Sequence, residues 1–189
     1  MTASGASTME VLGQVRQMFE EVAKLLGTAD SMMESRGWKR RAANTITAGT
    51  SASLYAPKRW MPHTVFRFYG RPNRPNLLAT VAVLLGVDPD MDESISLPEP
   101  MVCGMLFDYG EGKAVGDNWK YDFASWHLLN RDATFDGAIH LCDLHNWPAA
   151  QDLPVERMYS LAVPLLAISD SSRLEKMVVN PIVALDVCK

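Results

Sequence analysis

Residues 64–85 read TVFRFYGRPNRPNLLATVAVLL, and the pattern of this stretch decides the fold class. Thr64, Phe66 and Phe68 alternate with Val65, Arg67 and Tyr69. That two-residue period is the signature of a strand with a distinct face on each side. Gly70-Arg71-Pro72-Asn73-Arg74-Pro75 follows as turn material. Leu77–Leu85 is an apolar run short enough for a strand or a short helix. Asn76 and Gly86 would cap a helix there, whereas Thr80, Val81 and Val83 favour a central strand, and the strand is the reading adopted. Two strands joined across a short turn imply an antiparallel sheet.

Upstream lies a long helical pattern. Val11, Val15, Met18, Val22, Leu25, Ala29 and Met32 recur at alternating steps of four and three, and Leu12, Phe19, Leu26 and Met33 widen that seam into a face suited to packing on a sheet. Ser7 and Glu10 have capping-box spacing at its start. Glu20 and Lys24 form an i,i+4 pair. Gly37 is a natural stop. The seam runs through Gly27 and Thr28, so one helix is expected. Its stripe serves a core helix better than an intermolecular coiled coil, since only about three heptads are present.

Further along the chain, residues 45–55 alternate like a half-buried strand or a hairpin turning at Gly49. Met101–Phe107 reads as a strand with Met101, Cys103, Met105 and Phe107 on one face. Asp117 would cap a helix carrying Trp119, Phe123 and Trp126. Gly137–Leu144 and Tyr159–Ile168 read as strands, the second interrupted by Pro164. Ser172 and Glu175 repeat the capping-box spacing before a short helix that would end at Asn180-Pro181, leaving Ile182–Val187 as a last strand. The fold expected is α+β: a long N-terminal helix packed on a largely antiparallel sheet, with one or two further short helices. Residues 1–6 are expected to be disordered, and residues 7–189 form a single domain.

Charge is strongly polarised along the 189 residues. Residues 36–74 hold nine of the eighteen Lys and Arg residues and no Asp or Glu. The chain as a whole carries −4. Trp38, Tyr55, Trp60, Phe66, Phe68 and Tyr69 are interspersed in the basic stretch. Guanidinium groups pair with phosphate and carboxylate oxygens, and ring faces receive planar groups. Arg40, Arg41, Arg59, Arg67, Tyr69 and Arg71 are therefore the candidate site for an anionic ligand or an acidic partner, expected as an exposed, contiguous surface. The alternative is that these arginines pair with acidic groups of the same chain, such as those of residues 88–99. A nucleic-acid accessory role is a further reading, although no RNA-binding consensus or helix-turn-helix occurs.

A second candidate constellation is His140, Cys142 and His145, with Asp143 between them. All are possible metal ligands, yet on a continuing strand His140 and Cys142 face one way and Asp143 and His145 the other. A third is the Asp108-Tyr109-Gly110-Glu111-Gly112 loop, where carboxylates sit beside glycines. A small metal-assisted hydrolase built on either is the alternative function. Phosphate-loop, dinucleotide-binding, zincin and nucleophile-elbow motifs are all missing from the sequence, so no cofactor is expected. Cys103, Cys142 and Cys188 are odd in number and widely spaced, as in reduced, cytoplasmic proteins. No apolar run reaches the roughly 20 residues that span a bilayer. The expectation is a non-catalytic binding or regulatory domain. Its partner would be an acidic protein surface, an anionic small ligand or a second copy, since the basic stretch of one chain complements the acidic remainder of another.

Overall fold

The computed structural model describes residues 5–41, 62–86, 97, 99–115, 137–142 and 155–186. The expected strand at 45–55, the helix after Asp117 and the loop at 147–154 lie outside the described residues.

Helix α1 spans Gly5–Ser35, about 46 Å at 1.5 Å per residue. It runs unbroken through Gly27, and it starts before Ser7, which therefore lies within it rather than capping it. Gly37, at φ 81°, ends it. Trp38 N–H donates to Met33 O at 3.1 Å and Gly37 N–H to Glu34 O at 3.0 Å, the paired bonds of a left-handed C-terminal cap. Lys24 donates to Glu21 at 2.8 Å rather than to Glu20. Val22, Leu26, Ala29 and Met33 are buried, while Met9, Val11 and Leu12 are exposed. Only the C-terminal part of the seam is thus spent on the core, where each large side chain contributes about 1.5–3 kcal/mol.

Six strands follow: β1 (Lys39–Arg40), β2 (Thr64–Arg71), β3 (Arg74–Leu84), β4 (Met101–Asp108), β5 (His140–Cys142) and β6 (Arg157–Pro164). They form one sheet in the order β1-β2-β3-β4-β6-β5, and every neighbouring pair is antiparallel. β2 and β3 form the expected hairpin, closing at Arg71 opposite Arg74 with a register shift between Gly70 and Arg71. β6 ends at Pro164, which has no N–H to continue a ladder, and Leu165–Ala167 forms a 3-10 turn.

The strand assignment of residues 77–85 has a clear physical basis: β3 is buried on both sides. Val65, Tyr69, Ala79, Val81, Val83, Val102, Leu106, Leu161 and Val163 pack with the buried stripe of α1. Phe66, Phe68, Leu78, Ala82, Leu84, Met101, Cys103, Met105 and Phe107 form a second core on the opposite face. A strand with two buried faces shows an unbroken apolar run instead of alternation.

The end of the chain departs from the expected pattern. Asp170, not Ser172, caps helix α2 (Ser171–Leu174), accepting from Arg173 N–H at 2.9 Å. That backbone bond holds its carboxyl below the usual range. A π-type segment over Glu175–Val179 leads into helix α3 (Asn180–Leu185), so residues 182–185, expected as part of a strand, are helical. Proline within a helix cannot donate to the carbonyl four residues back and clashes with it. The widened turn just ahead of Pro181, in which Asn180 N–H reaches Glu175 O, lets the helical run continue past that residue.

This run docks on the α1 side of the sheet at Gly104. A Cβ on Gly104 would sit 2.7 Å from Ile182 Cγ1 and 3.1 Å from Val178 Cγ1. Gly104→Ala is expected to cost about 1–3 kcal/mol through overpacking, read as a lowered urea midpoint with unchanged slope. An unchanged midpoint would show that the contact is looser than described.

Candidate functional site

The described part of the basic stretch is bound up with carboxylates from two other regions of the same chain. Asp30, on the flank of α1 next to the buried Ala29, is the first. Its Oδ1 accepts from Tyr69 Oη at 2.9 Å. Its Oδ2 lies 3.3 Å from Arg67 Nε and 3.4 Å from Arg40 Nη1. β2 supplies Arg67 and Tyr69 on one face by its two-residue period, and β1 brings Arg40 opposite Tyr69. Tyr69 is fully buried. Burial, reinforced by the Asp30 charge, raises its phenol well above the ordinary value.

Asp186, at the end of α3, is the second. Its side chain is 3% exposed and pairs with Arg71, while its Oδ1 lies 3.3 Å from Arg74 Nη1. Arg74 Nη1 also donates to the Asp186 backbone carbonyl at 3.1 Å. The Arg71 guanidinium lies 5.7 Å from the ring centroid of buried Trp38, within cation–π range. The third carboxylate is Glu175, which pairs with Arg36. Arg36 also donates to Asn180 Oδ1 at 2.8 Å and to Met32 O at 2.9 Å.

The candidate residues are therefore distributed over separate places. Arg40, Arg67 and Tyr69 converge on Asp30. Arg71 joins Arg74 on Asp186. Arg41 extends β1 through a bond from its N–H to Phe68 O at 2.9 Å and lies against Gly70. Arg59 lies outside the described residues. The expected contiguous outward surface is corrected accordingly: Arg67 and Arg71 are partly buried and paired within the chain. A guanidinium withdrawn from water needs a counter-charge, and α1 and the C-terminal helical run provide it.

Sequence reasoning missed Asp30, Glu175 and Asp186. Asp30 carried the only signal, a carboxylate flanking an otherwise apolar seam. This sharing gives, among the described residues, more guanidinium groups than carboxylates. Among the described residues, Arg36, Arg40, Arg67, Arg71 and Arg74 pair with these three carboxylates, while Lys39 and Arg40 stand exposed on β1 at the end of the sheet.

The other constellations are placed as follows. His140 and Cys142 occupy alternate positions of β5, and Cys142 Sγ lies 3.4 Å from Ser160 Oγ. His145 lies outside the described residues, among which no three His, Cys, Asp or Glu side chains converge. The Asp108 carboxylate is buried and accepts from Asn76 Nδ2 at 2.9 Å, Gly110 N–H at 3.0 Å and Arg157 Nη2 at 2.9 Å. It pins the loop that follows β4. Gly110, at φ 88°, takes a backbone conformation that favours glycine, with the movable Glu156 carboxylate beside it. Cys103 is wholly within the second core, and burial pushes its thiol up to about 12.

No family model, curated protein or solved structure matches this chain. Its function is argued from the site alone.

Asp30→Ala would leave Tyr69 and Arg67 without their partner and is expected to lower stability by about 2–4 kcal/mol, measured by urea denaturation. Loss of less than half a kilocalorie would show that the cluster is not a structural tie. A thiol titrating near 12 is protonated at pH 8, so Cys103 is expected to resist alkylation in the folded protein and to react on unfolding. Mass spectrometry after a timed iodoacetamide pulse reads this, and rapid native labelling of Cys103 would contradict its burial.

Proposed function

We propose that the chain is a non-catalytic binding or regulatory domain that engages an acidic protein surface along the β1 end of its sheet. The observation that supports this reading is the shared use of carboxylates: among the described residues, five arginines of residues 36–74 meet three acids. Arg40, which gives Asp30 one of its weaker contacts at 3.4 Å, keeps a 53% exposed side chain. Lys39 beside it is exposed as well. Exposed positive charge on a sheet edge attracts and orients an anionic partner. The Arg40 contact to Asp30 is long and its side chain half exposed, so its guanidinium can turn toward a partner.

Fluorescence anisotropy with a labelled glutamate-rich peptide, across a salt series, tests the reading. Binding is expected to weaken steadily as salt rises. Lys39→Ala combined with Arg40→Gln is expected to reduce affinity by about tenfold or more, with a small fall in the unfolding midpoint from the lost Asp30 contact. No binding at low salt, or equal binding by the double variant, would refute it. Tighter binding of a labelled oligonucleotide of equal charge would transfer the site to nucleic acid.

A further inference from the structure

The β2–β3 turn and the loop after β4 face each other across a groove of about 480 Å³, lined by Asn73, Arg74, Asn76, Glu111, Gly112 and Lys113 among others. Its size falls within the range of small-ligand sites. Both walls are fixed by the chain itself. Tyr109 N–H donates to Asn76 O at 2.9 Å, and Val115 N–H donates to Pro75 O at 3.0 Å. The Asn76 amide is anchored on buried Asp108 at 2.9 Å, and Gly110 is seated against Glu156. A groove tied at both ends of its loop is preformed.

The two cationic side chains on its walls, Arg74 and Lys113, keep unused donors. Arg74 commits Nη1 to Asp186. That carboxylate is shared with Arg71, so the two guanidiniums together retain one positive charge beyond their partner. Lys113 pairs with Glu156 at 3.0 Å, but both side chains are about half exposed, at 53% and 51%. Such a pair is weakly held in water, and its ammonium group is easily redirected. Glu111 is exposed on the loop wall and repels a second negative charge.

We infer that this groove receives a small ligand by a single phosphate or carboxylate held between Arg74 and Lys113, with a neutral or cationic remainder toward Glu111. Polyanions are disfavoured by that last carboxylate. The inference rests on residues other than Lys39 and Arg40, so it stands or falls independently of the acidic-partner reading.

Amide chemical-shift titration of the full chain tests it with three probes: phosphoethanolamine, γ-aminobutyrate and tripolyphosphate. The two zwitterions are expected to shift the amides of residues 73–76 and 110–115 saturably. Lys113→Ala is expected to weaken that binding by about tenfold without moving the unfolding midpoint. Lys24→Ala, on the exposed face of α1, is expected to leave it unchanged. Glu111→Gln is expected to improve binding of tripolyphosphate relative to the zwitterions. No saturable shift in the groove with either zwitterion would overturn the proposal. So would equal affinity in Lys113→Ala, or tripolyphosphate outcompeting both zwitterions in the unaltered chain.

Discussion

Among the described residues, three carboxylates tie this protein's helices to one another and to the β1–β3 end of its sheet. Asp30 joins α1 to β1 and β2, Glu175 joins the C-terminal run to the end of α1, and Asp186 joins that run to the β2–β3 hairpin. The apolar stripe of α1 supplies the attraction, but it is non-directional. Ion pairs with a buried or half-buried partner fix where a helix sits, because a displaced helix strands a charge away from water. The described part of the basic stretch is thus first a fastening within the fold. Any role in binding uses the charge left after that fastening.

The strands of the central sheet were legible in the sequence for local reasons. The alternation at 64–69 assigns Val65 and Tyr69 to one core and Phe66 and Phe68 to the other, as the structure has it. Met101, Cys103, Met105 and Phe107 share a face for the same reason. Residues 77–85 were ambiguous because a doubly buried strand loses its period. The carboxylate partners were not legible. Arg36 and Glu175 are 139 positions apart, and no local pattern encodes such a pairing. Charge along the chain predicts an outward basic surface, whereas burial is settled by what packs on it.

The C-terminal run misled for a different reason. Ile182 and Val183 have strand-like side chains, and Pro181 reads as a stop. Asp170 supplies a strong helix start, and the π-type turn absorbs the proline. Tertiary packing then decides, since Val178 and Ile182 fill the space that Gly104 leaves open on β4. A glycine inside a strand is a reliable sign that something approaches closely, though it does not reveal what.

The wide turn before Pro181 also sets the angular phase of everything after it. A regular α-helix advances about 100° per residue, so an inserted residue swings each later side chain by nearly a third of a circle. With that swing, Ile182 meets Gly104 and Asp186 meets its arginines. The widened turn acts here as a spacer that indexes a downstream face onto its receptor, coupling the seating of a methylene on the sheet to the neutralisation of a charge one turn farther along.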